Sequence, residues 1–156
     1  MSDKNRPILV PTDFSPTSEQ ALLFAAELAR KLGNPLTILH VVHDPGGAPG
    51  YYAVTGRNKQ LRKMEDVATE MLDEFMIRVR EKHPKNTALK KAATMLVVGL
   101  PVNRILESAE KINARMIIMG SQGRTGLVNA LLGTKAQQVV GLAKVPVTIV
   151  KSEEPH

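Results

Sequence analysis

The chain has no cysteine and no tryptophan, and only two tyrosines and three phenylalanines among its 156 residues. The absence of cysteine excludes disulfides, thiolate zinc sites, thiol nucleophiles and iron–sulfur clusters together. Long hydrophobic runs are also missing: no apolar stretch approaches the ~20 residues that span a bilayer. Met1-Ser2-Asp3-Lys4-Asn5-Arg6 leads straight into a short apolar segment, so no signal peptide is expected and a soluble, cytoplasmic protein is. The expected organisation is one domain over residues 1–156. A chain of this length buries roughly 70% of its unfolded surface and needs no covalent staple.

Acidic residues are scarce in the last third. The whole chain carries 21 Lys and Arg against 15 Asp and Glu, a formal charge of +6. Residues 111–152 hold Lys111, Arg115, Arg124, Lys135, Lys144 and Lys151 with no acid, before the short acidic tail at 152–156. A sequence pI near 9.7 is a nucleic-acid cue. The usual footprint, a dense basic run or basic residues interleaved with aromatics, is missing. Nucleic acid is therefore not the expected partner. Of the surplus, only Arg124 and Lys135 are candidates for a site; Lys111, Arg115, Lys144 and Lys151 are expected to be solvated or to face a partner copy.

What is present is an alternation of periods. Pro7–Val10, Leu36–Val42, Met95–Val98, Met116–Met119 and Val145–Val150 read as short apolar strands. Between them lie amphipathic helices. The first opens with Ser15 as N-cap and Pro16 at the first helical position, sets Leu22, Ala25, Ala26, Ala29 and Leu32 on one apolar face, and closes at Gly33. A long helix carries Met64, Val67, Ala68, Met71, Leu72, Phe75 and Val79 on one face. A third runs from Pro101 through Val102, Ile105, Leu106, Ala109 and Ile112, and a fourth shows Ala136, Val139, Val140 and Ala143. The order β-α-β-α-β-α-β-α-β predicts an α/β fold: a doubly wound, five-stranded parallel sheet with helices on both faces. Ligands of such sheets bind at the carboxyl ends of the strands. Here those ends are Pro11–Asp13, Val41–Asp44, Gly99–Pro101 and Gly120–Gly123.

Eight of the eleven glycines fall in two windows, 46–56 and 120–133. The first belongs to a connection over about 44–56 that is expected to be a flexible surface loop. The second reads Gly120-Ser121-Gln122-Gly123-Arg124 and ends Gly133-Thr134-Lys135 at the start of a helix, where free N–H groups suit phosphate oxygens. Two common phosphate fingerprints fail. The P-loop requires a glycine at position 128 and the order Gly-Lys-Thr; the dinucleotide motif requires a second glycine two positions after Gly120.

The spacing that fits is G-x2-G-x9-G-T, formed by Gly120, Gly123, Gly133 and Thr134. Together with Pro11-Thr12-Asp13 and Leu39-His40-Val41 it resembles the universal stress protein family, from Pro7 to Val150. The resemblance implies a Rossmann-like, adenine nucleotide alpha hydrolase-like fold and the branch of the family that binds ATP with magnesium. It implies that Asp13, beside Pro11 and Thr12, faces the ribose and phosphates. The Val41 backbone meets adenine, and Gly120, Gly123, Gly133 and Thr134 cradle the phosphates; Met119, Ser121, Arg124 and Lys135, beside them in sequence, are further candidate nucleotide contacts. It further implies a homodimer through Val145–Val150 and a role as a nucleotide-dependent stress-response regulator. Family members often have an acidic residue or asparagine where this chain has Leu100, which is expected to reshape one pocket wall.

Local readings remain beside these. Asp13 also suits a turn or cap, and His40 a hydrogen-bonded core histidine. Ser15, Ser18 and Ser121 suit caps and turns. His43, His83 and His156 have no metal-ligand spacing. No residue is assigned a catalytic role. A slow ATPase on the same fold, or a scaffold that needs no nucleotide, stands as the alternative.

Overall fold

A computed structural model describes residues 2–44, 55–122 and 132–152. Five parallel strands form one sheet in the order β3-β2-β1-β4-β5. They are β1 (Ile8–Pro11), β2 (Leu36–His43), β3 (Ala93–Gly99), β4 (Met116–Gly120) and β5 (Val147–Val150). β1 is central and buried along its whole length, as expected of a strand covered on both faces. Its register sets Ile8 against Leu36 on one side and Met116 on the other. The sequence expectation of a doubly wound parallel sheet holds.

Alternation along each strand divides the core in two. Ile8, Val10, Leu36, Ile38 and Ile118 pack with α1 (Pro16–Leu32), α2 (Thr55–Lys82) and α3 (Thr87–Lys91), through Leu22, Phe75 and Leu89. Leu9, Leu39, Ile117 and Met119 pack with α4 (Pro101–Lys111) and α5 (Thr134–Leu142), through Ile105, Ala109, Ala136 and Val139. Each fully buried Leu or Ile contributes about 1.5–3 kcal/mol. No helix among the described residues is long and apolar enough to cross a membrane.

α1 starts and stops as its sequence predicts. Ser15 Oγ accepts from the Ser18 N–H at 3.2 Å, Pro16 follows the cap, and Gly33 ends the helix at φ 73°. That left-handed conformation costs glycine nothing.

Three expectations are corrected. α3 was not foreseen; Asn86 caps it by accepting from the Leu89 N–H at 3.0 Å, and Leu89 is fully buried. Val140 of α5 is exposed rather than core. On α2, Met64, Val67 and Met71 are 45%, 55% and 36% exposed, whereas Ala68, Leu72, Phe75 and Val79 are buried. Length explains this last difference. The 28 residues of α2 extend about 42 Å, and the eight of β2 only about 26 Å, so the helix overshoots the sheet at its N-terminal end.

Two members of the basic surplus have structural partners. Arg115 Nη1 donates to Asn34 Oδ1 at 2.7 Å, and Asn34 Nδ2 donates to the Asp3 and Arg6 carbonyls at 2.6 and 2.9 Å. This bond set ties down the sheet end opposite the strand carboxyl ends. Lys144 pairs with Glu110 at 3.0 Å on the surface.

Leu100 is the N-cap of α4, with extended backbone and no side-chain cap, and its side chain is exposed. Leu100→Asp is expected to supply the missing acceptor and stabilise the protein by about 1 kcal/mol. In thermal unfolding that is a Tm rise of about 2–4 °C, and an unchanged or lower Tm would refute the capping defect.

Candidate functional site

Strand order reverses between β1 and β4, and their carboxyl ends open into a crevice of about 800 Å³. This is the switch point at which doubly wound sheets take their ligands. Every predicted site residue in the described part of the chain borders it: Pro11, Thr12, Asp13, Val41, Met119, Gly120, Ser121, Gly133, Thr134 and Lys135. Gly123 and Arg124 lie outside the described residues, as does Gly126 and most of the 44–56 connection.

The first wall is the turn from β1 to α1. The Thr12 N–H donates to the Leu39 carbonyl at 2.8 Å and prolongs the ladder by one residue. Phe14 N–H then donates to Thr12 Oγ1 at 3.1 Å, and Ser15 N–H to Asp13 Oδ1 at 3.0 Å. These are side-chain-closed turns of the kind Thr and Asp favour. Ser18 Oγ donates to the Ser15 carbonyl at 2.9 Å and lies 3.0 Å from Thr12 Oγ1, so the Thr12 hydroxyl donates to Ser18. Phe14 has φ 66°, a left-handed conformation that costs a bulky residue roughly 1–2 kcal/mol. Asp13 is thus both a turn residue and a crevice residue. His40 is hydrogen-bonded, as expected, through Nδ1 to the Thr12 carbonyl at 2.8 Å; it is half-buried and also borders the crevice.

The second wall joins β4 to α5. Ser121 N–H donates to the Val150 carbonyl at 2.9 Å, and Gly133 N–H donates to the Ser121 carbonyl at 2.7 Å. The second bond brings the start of α5 back against the end of β4. Gly133 is the α5 N-cap and offers no side-chain cap, unlike Ser15 and Asn86 at α1 and α3. The first N–H groups of α5 are therefore left for a ligand or water, beside Thr134, Lys135 and Ala136 on the crevice wall. A helix N-terminus carries about half a positive charge, which suits an anion.

Of the remaining walls, Pro101, His43 and Gln122 fall within the strand ends expected to meet a ligand, and the others were not read from sequence. Lys63, Met64, Val67 and Met71 of α2 and Pro101 and Ile105 of α4 line the crevice, with Phe14, His43 and Gln122. The α2 residues share the period of the core stripe, so periodicity cannot separate them from it. Leu100 is not among the lining residues; Pro101 and Ile105 form the wall attributed to it. Among the described residues the site combines an apolar slot near β2 with one carboxylate at Asp13 and two ammonium groups at Lys63 and Lys135. Among the described residues no three His, Asp or Glu side chains stand together as a metal cage.

Known proteins resemble this chain along almost its whole length. The profile of the universal stress protein family matches residues 4–151. Universal stress protein MJ0577 of Methanocaldococcus jannaschii is 31% identical over 158 residues, covering 97% of this chain and 98% of its own. The solved structure of MJ0577 superposes with a TM-score of 0.77, covering 97% and 99% of the two chains at 27% identity. A universal stress protein from Archaeoglobus fulgidus, solved in complex with dAMP, superposes with a TM-score of 0.61 at 27% identity, covering 94% of this chain and 98% of its own.

Gly120 has a packing reason to be glycine. A Cβ there would stand 2.7 Å from Thr17 Cγ2 and 3.1 Å from the Thr17 carbonyl oxygen, where α1 begins. Gly120→Ala is expected to destabilise the nucleotide-free protein by about 1–3 kcal/mol in urea unfolding. An unchanged midpoint would show that the close approach is not required.

Proposed function

The chain belongs to the universal stress protein family, and on that premise we propose that it binds ATP in the β1/β4 crevice and acts in the cytoplasm as a nucleotide-dependent regulator of a stress response. The observation that carries this reading is the α5 N-terminus, which lacks a side-chain cap and opens onto the crevice that Asp13 and Val41 also border. The dAMP complex of the Archaeoglobus fulgidus relative supports an adenine nucleotide as the ligand. Phosphates meet the N–H groups of Thr134, Lys135 and Ala136, with Lys135 adding charge and Gly120, Ser121 and Gly133 giving close backbone access. Gly123 completes the G-x2-G-x9-G-T signature, and Arg124 follows it as a candidate phosphate contact. Asp13 takes the ribose side, and adenine lies in the apolar slot against Val41 and Met119.

Among the described residues the crevice offers a single carboxylate, Asp13, beside the neutral hydroxyls of Thr12, Ser18, Ser121 and Thr134. They fit a magnesium ion held mostly by phosphates and water. The ion would neutralise phosphate charge. Hydrolysis would need a water-orienting group near the terminal phosphate. Asp13 is the carboxylate that borders the crevice among the described residues. Binding therefore ranks ahead of catalysis, with a slow ATPase as the alternative.

A homodimer is the second part of the reading. β5 is an edge strand. Ile117 N–H donates to the Pro146 carbonyl and Ser121 N–H to the Val150 carbonyl, each at 2.9 Å. By the parallel ladder, the even-numbered residues serve β4 while Val147 and Ile149 turn their backbone groups to the open edge. Such an edge invites a second copy.

Thermal unfolding with and without Mg-ATP tests the ligand. At ~100 times its Kd, ATP is expected to add about 2.7 kcal/mol, a Tm rise of roughly 5–11 °C. No shift with ATP, ADP or AMP would refute the reading, and phosphate release over hours would favour the ATPase.

Thr134→Pro locates the phosphates, because proline is tolerated at the first helical position while removing one N–H and the hydroxyl. Affinity is expected to fall about ten- to hundredfold, as for a lost bond to a charged group, with the nucleotide-free Tm nearly unchanged. Undiminished binding would place the phosphates elsewhere.

Val147→Pro removes an edge N–H at the first residue of β5, where proline is tolerated. Light scattering is expected to give twice 17.0 kDa for the natural chain and 17.0 kDa for the variant. A dimer unaffected by the substitution would exclude β5 pairing.

A further inference from the structure

Phe14 is half-buried and left-handed, and a glycine would hold the same kink without strain. A turn alone does not explain an aromatic ring there. The ring lies on His40, with centroids 4.4 Å apart and planes at 31°, and against Phe75 with centroids 5.4 Å apart. Three elements therefore converge on one residue: β2 through His40, α2 through Phe75, and the start of α1 through the Thr12–Ser18 hydroxyl pair. His40 closes the loop, since Nδ1 stands 2.8 Å from the Thr12 carbonyl. A carbonyl only accepts, so Nδ1 carries the ring proton. The residue between the bonded Thr12 and the stacked Phe14 is Asp13.

We propose that Phe14 and His40 are positioning residues: their stacked rings hold the left-handed kink and so fix where the Asp13 carboxylate stands on the crevice wall. The ring contacts stand on their own geometry; their effect on affinity rests on the adenine-nucleotide reading above. The strained backbone is held by rings from separate elements, as expected where surrounding structure overrides a local preference at a binding site. Without the rings the turn relaxes, and Asp13 loses its fixed place while the phosphate side at α5 is untouched.

Two measurements test this. Nitrogen-15 NMR of the His40 ring, in protein without nucleotide, is expected to show the Nδ1–H tautomer alone and a tautomer mixture in Phe14→Gly. An Nε2–H ring in the natural chain, or a tautomer indifferent to Phe14→Gly, overturns the lock. ATP titrations of the natural chain, Phe14→Gly, Asp13→Asn and the double variant form the second measurement. Each single change is expected to weaken binding about tenfold, and the double variant to bind no worse than Asp13→Asn alone, as coupled neighbours do. A further tenfold loss in the double variant, or no loss in Phe14→Gly, overturns the positioning role; Phe14→Tyr, which keeps the ring, is expected to bind as the natural chain does. Phe14→Leu carries the same expectations if the glycine variant does not fold. If the natural chain binds no adenine nucleotide while the His40 tautomer responds to Phe14→Gly, the ligand reading fails and the lock stands.

Discussion

The placement of β1 at the centre of a parallel sheet constrains everything else in this molecule. β1 pairs with β2 on one side and β4 on the other, and both of its faces are buried. Right-handed crossovers then send α1, α2 and α3 to one face and α4 and α5 to the other. Because the connections that leave the neighbouring strands β1 and β4 run in opposite directions, the carboxyl ends of β1 and β4 cannot both be covered. The crevice is the consequence, and the residues that follow those two strands inherit it.

Backbone satisfaction decides what the crevice offers. The β1–α1 turn consumes its own donors: Thr12, Asp13, Ser15 and Ser18 bond one another and the N-cap of α1 is filled. Across the crevice, α5 begins at a glycine that cannot cap it, held in place by the Gly133–Ser121 bond. One side is therefore closed and presents a carboxylate; the other is open and presents N–H groups with a lysine. That asymmetry is what a nucleotide's sugar and phosphates would meet, and it arises from cap chemistry more than from net charge. The basic surplus that first pointed toward a polyanion is partly spent elsewhere, with Arg115 on Asn34 and Lys144 on Glu110.

Much of the fold was legible because its signals are local. Ser15-Pro16 and Gly33 marked α1 to the residue, and the strands stood out as short apolar runs between amphipathic segments. The candidate residues were legible as spacing: Pro11–Asp13, Val41 and Gly120…Gly133-Thr134 do border one crevice. The α2 wall was not legible. Met64, Val67 and Met71 continue the period of Leu72, Phe75 and Val79, and only the helix overshooting the sheet separates the two sets. Phe14 and His40 were similarly opaque, since a positive φ and a ring stack across two elements leave no periodic trace. Gly120 was read for its access to phosphate, yet the neighbour that forbids a side chain there is Thr17, distant in sequence.

Period, caps and glycine spacing, all short-range properties of the chain, were enough to determine the α/β class, the element order and which loops would carry a site. Tertiary structure alone decided which apolar residues are core and which are crevice. It decided which basic residues are already paired, and which glycine is demanded by packing. The reason is physical: a side chain's burial and partners depend on where separate elements end relative to one another, and that relation exists only once the sheet has set their positions.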